Sequence, residues 1–349
     1  MIIVIIAGGS GTRLWPLSTP EFPKHLLTVG DASESILQAT YQRARRLTDK
    51  IYVVSEKSHS DHVKSQLKGI DEDRVIVEPA RRGTANCIVA ALAILSRHED
   101  PNEPVAFIHA DHYIRDVSGF ANSFKLAAKV SVSQKRIVLI GVEPTYPATG
   151  FGYIKKDGQL DEEHFVYKVN SFKEKPDFKT AQKYYRSGDY LWNCGYFVGS
   201  INTFKQKMKS YAPDLLDSLD RLSLAKIKDF NDVYLNLKDQ AIDYALIEKV
   251  KDLLVIPAGF DWKDVGSFLD LSSVVESDES GNYMFGDVYL DEVSSSFIDN
   301  KEAKPVVVIG LDNVVVVNTE EGILVTNKDM SQKVGEIAKK IIEWRNVKE

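Results

Sequence analysis

An α/β fold, a mostly parallel and doubly wound sheet followed by a small β-rich module, is predicted by three observations. Short β-branched apolar runs alternate with helical patterns through the first two-thirds of the chain. The first run, Ile2–Ala7, is apolar at every position, as a strand buried on both faces is. From about Gly281 the helical periodicity stops, and short apolar runs separated by turn residues take over.

Taken in order, the runs Ile51–Ser55, Arg74–Val77, Val105–His109 and Arg136–Val142 repeat the pattern of the first. Between them, Ser35-Ile-Leu-Gln38 has capping-box spacing and opens a helix running through Tyr41, Ala44 and Leu47. Thr84 is placed to cap a second helix, with Ile88, Val89, Leu92 and Leu95 along its apolar face. In such sheets ligands bind beyond the carboxyl ends of the strands, so the loops after these strands are the place for a site. In the last part, Asp287–Leu290, Val306–Ile309, Val314–Asn318 and Ile323–Thr326 read as short strands, punctuated by Leu311-Asp-Asn313 and Thr319-Glu-Glu-Gly322. The spacing is too irregular to define a solenoid repeat. A helix from Gln332 to about Trp344 closes the chain. The expected division is 1–280 and 281–349, and with no Pro/Gly/Ser-rich linker between them the parts should pack together.

The 349 residues suffice for one large domain plus a smaller one, and 44% hydrophobic with 27% charged residues is ordinary for a globular enzyme. A net charge of −6 argues against a nucleic-acid partner, which would call for a basic stripe. Cys87 and Cys194 cannot form a disulfide framework, lack metal-site spacing and read as small buried hydrophobes. Signal-peptide features are missing, and no stretch approaches the ~20 apolar residues of a membrane span, so the expected compartment is the cytoplasm.

The strongest chemical signal follows the first strand: Ala7-Gly-Gly-Ser-Gly-Thr-Arg-Leu-Trp-Pro-Leu-Ser18, then Phe22-Pro-Lys24. Gly8, Gly9 and Gly11 allow a tight turn that presents amide N–H groups to an anion. Leu14 stands where a dinucleotide fingerprint needs its third glycine, and no Gly-Lys-Ser/Thr follows to make a Walker loop. What remains is a phosphate-cradling loop with two strong cations, Arg13 and Lys24, behind it.

This loop resembles the signature of the sugar nucleotidylyltransferases, and Trp15-Pro16 resembles their mannose-1-phosphate guanylyltransferase branch. The resemblance continues in order through Glu78-Pro79 with Thr84-Ala85, Ala110-Asp111-His112, Thr149-Gly-Phe-Gly-Tyr-Ile154, Phe172-Lys-Glu-Lys-Pro176, Trp192-Asn-Cys-Gly195 and Trp262-Lys-Asp-Val-Gly266. It implies a Rossmann-like, glycosyltransferase-A-like catalytic domain with a small left-handed β-helix-like module, and a homodimer. It implies as substrates GTP and mannose 1-phosphate, whose phosphate attacks the α-phosphorus in line.

Such a reaction joins two anions, so neutralisation and positioning should dominate, and an already ionised nucleophile needs no general base. By the resemblance, Asp111 and Asp264 hold Mg²⁺ or another divalent cation, and Arg13, Lys24, Asp111 and Lys175 are catalytic. Nucleotide contacts fall to Ala7, Gly8, Gly9, Ser10, Gly11, Thr12, Arg13, Lys24, Glu78, Pro79, Thr84, Ala85 and His112. The sugar phosphate falls to Gly150, Glu174, Lys175, Asn193 and Gly195. From the residues alone, Glu78 is either an acceptor for a guanine edge or a surface residue at a strand end. His112 is either a base contact or a locally paired loop histidine.

Four positions depart from the family pattern: Gly83 and Asn86 in Gly83-Thr-Ala-Asn86, where asparagine and proline are usual, Cys194, where serine is usual, and His25, where glutamine is usual. A catalytically silent sensing subunit of the same fold would have lost Arg13, Lys24, Asp111 or Asp264, and all four are present.

Overall fold

The computed structural model describes residues 1–9, 11–30, 32–161, 165–226 and 229–348, with side chains as far as residue 345. The first part contains β1 (Ile2–Ala7), β2 (Ile51–Glu56), β3 (Val75–Glu78), β4 (Pro104–His109), β5 (His112–Tyr113), β6 (Val138–Val142), β7 (Gly152–Asp161), β8 (Val166–Lys173), β9 (Tyr190–Ser200), β10 (Leu254–Pro257) and β11 (Lys263–Asp264). All but β5 and β11 form one nine-stranded sheet in the order β3-β2-β1-β4-β9-β6-β10-β8-β7. Strands β1 to β4, β6 and β10 point the same way, and β9 is inserted antiparallel between β4 and β6. The predicted doubly wound sheet is thus present, with antiparallel strands on one side that the apolar runs did not announce.

Alternation along β1 explains the two layers. Ile2, Val4 and Ile6 point into one core, with the helices Gly83–Leu95, Ile201–Tyr211 and Pro213–Leu224. Ile3, Ile5 and Ala7 point into the other, with the helices Ile36–Arg45 and Val117–Gln134. Fully burying each such aliphatic side chain contributes roughly 1.5–3 kcal/mol, so neither face tolerates a polar residue. The Ser35 capping box is formed as expected: its hydroxyl accepts from the Gln38 N–H at 3.1 Å, and its own N–H donates to the Gln38 side chain at 2.9 Å.

Thr84 is a correction. The helix starts at Gly83 with no side-chain cap, and the Thr84 hydroxyl accepts instead from the Ile242 N–H at 3.0 Å. Gly83 has φ of +76°, and a Cβ there would overlap the Gln240 carbonyl. A distant segment, residues 238–243, is therefore stitched across the start of this helix. Tertiary pairing has taken the hydroxyl that local spacing assigned to the helix.

The chain runs from β1 through β2 to β3 on one side and returns as β4 on the other, so the topological switch lies between β1 and β4. Loops leaving the carboxyl ends of β1 and β4 open over that point. Beyond β4 the chain makes β5, which pairs antiparallel with β11 and sets Asp264 opposite His112.

The remainder forms β12 (Tyr283–Phe285), β13 (Val288–Asp291), β14 (Phe297–Asn300), β15 (Val306–Ile309), β16 (Val314–Thr319) and β17 (Gly322–Asn327). The pairs β12–β14, β14–β16 and β13–β15 are parallel, as stacked coils of a β-helix are, and β17 closes the stack antiparallel. Tyr283 faces Phe297 and Phe297 faces Val315, so successive rungs are 14 and 18 residues apart (297 − 283 and 315 − 297). That inequality is why no fixed period shows. The strand β14 was missed because it buries Asp299 and Asn300 as well as apolar residues. The closing helix begins as a 3₁₀ segment, Lys328–Lys333, and continues as Val334–Lys348. Leu14, Trp15, Val265 and Phe268 share a core with Tyr283, Phe297, Val315, Val334 and Ala338, so the module packs directly on the glycine-rich loop. Among the described residues no helix is long and apolar enough to cross a membrane.

Candidate functional site

Two cavities lie side by side beyond the carboxyl ends of β1 and β4. The first, about 200 Å³, is lined by Gly8, Gly9, Gly11, Thr12, Arg13, Lys24, His25, Arg81, Asp111 and Gly266. The loop closes tightly because Gly9 and Gly11 adopt φ of +118° and +60°, which side chains disfavour. A Cβ on Gly11 would lie 2.8 Å from the Lys24 backbone nitrogen, so its absence lets the two motifs touch. Ser10 lies outside the described residues. Arg13, in the turn Thr12–Leu14, is exposed with no hydrogen bond or ion pair among the described residues, and so is Arg81 across the loop.

Lys24 is buried, and its ammonium lies 2.9 Å from Asp111 and 2.8 Å from Asp264. The β5–β11 ladder brings these two carboxylates together from 153 residues apart (264 − 111). Burial works against the charge of all three groups, but their mutual attraction prevails. It raises Lys24 and holds Asp111 and Asp264 below the ordinary carboxylate range. With Lys24 neutralised in this way, the net positive charge facing the first cavity comes from Arg13 and Arg81.

Among the described residues no cluster of three or more His, Cys, Asp or Glu side chains forms a metal cage. Two carboxylates converging on one cation nevertheless suit a hard divalent ion that completes its shell with phosphate oxygens and water. The ammonium of Lys24 marks where positive charge is favoured between them.

The second cavity, about 230 Å³, is lined by Thr84, His109, His112, Gly150, Phe151, Glu174, Lys175, Asn193, Gly195, Asp243, Trp262 and Asp264. It exists because β9 bulges: Tyr196 pairs with Ile140 but Asn193 already pairs with Gly141, so Cys194 and Gly195 are extra. Gly195 has φ of +73°, and a Cβ there would lie 2.6 Å from the His109 ring. Asn193 donates to Asp243 at 2.9 Å and accepts from the Gly195 N–H at 3.0 Å. Glu174, at the end of β8, pairs through one oxygen with Lys175 at 2.9 Å, and its backbone N–H donates to Glu248. Its other oxygen is buried over Gly152 without a hydrogen-bond partner. Lys175 takes φ of +42°, unusual for a side-chain-bearing residue and a mark of local strain. Burial, then the neighbouring Glu174 charge, push the Asp243 carboxyl up to about 6.

Sequence-predicted residues distribute unevenly. Gly8, Gly9, Gly11, Thr12, Arg13, Lys24 and Asp111 meet at the first cavity, and Thr84, His112, Gly150, Glu174, Lys175, Asn193, Gly195 and Asp264 at the second. Ala7 and Ala85 are fully buried and line neither, and Glu78 and Pro79 line neither. Glu78 is not a surface residue: it accepts from the Tyr234 hydroxyl, and burial pushes its carboxyl up to about 7. His112 is paired through Nδ1 with the Tyr196 hydroxyl at 2.8 Å, and burial lowers it to about 3, leaving a neutral ring.

The departures from the family pattern other than Gly83 also have partners or places in the fold. Asn86 donates its amide to the Lys238 and Arg82 carbonyls, Cys194 donates to the Ile140 carbonyl at 3.0 Å, and His25 is buried and neutral, lowered to about 4. Sequence reasoning missed Arg81, His109 and Asp243. Asp243 sits in Ala-Ile-Asp-Tyr244, with no glycine or Pro-Lys beside it to mark it.

Comparison with known proteins places this arrangement. The family model described as Nucleotidyl transferase matches residues 2–281, and that of a MannoseP isomerase/GMP-like beta-helix domain matches residues 288–341. The chain is 34% identical over 349 residues to a mannose-1-phosphate guanylyltransferase of Escherichia coli, covering 97% of this chain and 75% of that protein. It is also 34% identical over 355 residues to that of Klebsiella pneumoniae, with 99% and 74% covered. A crystal structure described as a mannose-1-phosphate geranyltransferase from Thermus thermophilus matches with a TM-score of 0.86 at 27% identity, covering 97% of this chain and 98% of that one. The chain belongs to the nucleotidyl transferase family, and within it to the group of the mannose-1-phosphate guanylyltransferases.

Proposed function

We propose that this member of the nucleotidyl transferase family moves GMP from GTP to α-D-mannose 1-phosphate, releasing pyrophosphate and leaving GDP-mannose. The observation that carries the reading is the pair of cavities of unlike chemistry, joined at Asp111, Asp264 and Lys24. The names of the relatives supply the guanylyl and mannose assignments.

In this reading residues 1–280 carry the chemistry and 281–349 support it. The triphosphate lies on the loop Gly8–Thr12, with Arg13 and Arg81 taking the charge that the aspartate-bound Lys24 does not offset. The sugar phosphate lies in the second cavity with its phosphate toward Lys175, and the unpartnered oxygen of Glu174 accepts from a sugar hydroxyl. Asn193 and Asp243, already paired, fix the shape of that wall. Asp111 and Asp264 would hold a divalent cation such as Mg²⁺, which when bound offsets the negative charge of the phosphates. An oxygen of the sugar phosphate forms a bond to the α-phosphorus while the bond to the bridging α–β oxygen breaks, and both electrons leave with pyrophosphate. No proton has to be removed, so the reaction asks for no base from His109 or from His112, whose Nδ1 is paired with the Tyr196 hydroxyl.

Position-labelled GTP tests the bond order. With GTP labelled at the α-phosphorus the label should appear in GDP-mannose, and with the γ-label in pyrophosphate. Label from the γ-position in a sugar product would mean phosphoryl transfer and end this reading.

A further inference from the structure

Arg13 carries the nucleotide reading, yet its guanidinium has no hydrogen bond or ion pair among the described residues to orient it. What surrounds it is backbone. A Cβ on Gly335 would lie 2.9 Å from Arg13 Cγ, 3.6 Å from its Cα and 3.7 Å from its nitrogen. On the opposite side, a Cβ on Gly266 would lie 3.0 Å from Arg13 Nη1. The stem and head of Arg13 thus run through a slot with one wall from the closing helix and one from the segment that carries Asp264.

Gly335 is the second residue of the helix Val334–Lys348 and is buried. Its φ lies outside the left-handed region, so the backbone does not require glycine there. Glycine is also the poorest ordinary helix former after proline. Local structure therefore gives no reason for it, and the close approach of Arg13 does. The same module presses on the loop twice more: a Cβ on Gly322 would meet the Trp15 ring at 2.8 Å, and the Thr319 hydroxyl donates to the Pro16 carbonyl at 3.3 Å.

We infer that Gly335 is a positioning residue for Arg13, through which the C-terminal module sets the aim of the phosphate-binding guanidinium. The inference rests on the proposed role of Arg13 toward the GTP phosphates. A methyl group at 335 leaves the helix intact, or improves it, and displaces the arginine stem.

A double-mutant cycle on the full chain tests this, with steady-state kinetics for both substrates and thermal unfolding of each variant. Gly335→Ala should lower kcat/KM for GTP roughly 10- to 100-fold, as misplacement of a binding group by about an ångström does. KM for mannose 1-phosphate should stay unchanged, and Tm should not fall. In an Arg13→Ala background the same change should alter kcat/KM less than about twofold, because the group it displaces is gone. Wild-type kinetics for Gly335→Ala, equal losses in both backgrounds, or a loss that follows a lowered Tm would each overturn the positioning role while leaving the functional reading intact. If instead Arg13→Ala alone keeps wild-type kcat/KM for GTP, the phosphate role of Arg13 fails and this inference fails with it.

Discussion

Around the glycine-rich loop the charges reach the cavity as exposed cations, Arg13 and Arg81, beside a lysine held by two aspartates. Around β8 and β9 they are acids, Glu174 and Asp243, held close by Lys175 and Asn193 against an aromatic wall. The first half is arranged to offset charge that arrives with a ligand. In the second, Glu174, Asp243 and Asn193 are already paired with Lys175 or with one another, and one Glu174 oxygen is left without a hydrogen-bond partner. Offsetting charge is a matter of rate, whereas a prearranged set of hydrogen bonds is a matter of selection. The lesson is that loss of a group should show in different kinetic constants on the two sides.

The largest separation should come from the shared edge. Asp111→Asn and Asp264→Asn should each lower kcat on the order of 10³-fold while the protein stays folded, since each removes one arm of the pair that would hold the cation. Near-normal turnover in either variant removes that residue from the joint. A smaller and one-sided effect is expected from Asn193→Ala, which frees Asp243 and Gly195 together. KM for mannose 1-phosphate should rise about tenfold with KM for GTP unchanged. A rise confined to GTP would reverse the assignment of the cavities.

The smallest effect lies outside both halves, at Glu78. Burial raises its carboxyl from 4.5 in the unfolded chain to about 7 in the fold. The folded state therefore holds the proton longer than the unfolded chain does. Its stability falls as pH rises from about 4.5 to about 7 and stays at the lower level above that. Glu78→Gln removes the titration. Urea unfolding should show the variant gaining on the wild type between pH 5 and pH 8 by at most about 3 kcal/mol, with little change in activity at pH 7. The same offset at both pH values would show that Glu78 does not hold its proton in the fold.

Legibility followed the same divide. The loop could be read from residues because glycines, Arg13 and the Pro-Lys pair are contiguous or nearly so, and because an all-apolar β1 admits only a fully buried strand. The second cavity could not, because a bulge in β9 and a stitched segment at residues 238–243 create it, and neither has a local signature. The aspartate pair was available only through resemblance, since a two-residue ladder joins its members. Thr84 was misread because its hydroxyl accepts from a backbone N–H far along the chain, that of Ile242.

The most direct test of the proposed reaction is pyrophosphate release with Mg²⁺, crossing each of the four NTPs with mannose 1-phosphate and glucose 1-phosphate. Turnover should be confined largely to GTP with mannose 1-phosphate and abolished by a chelator. Turnover with a different pair would contradict the base and sugar assignment, and silence with every pair despite tight GDP-mannose binding would contradict catalysis itself.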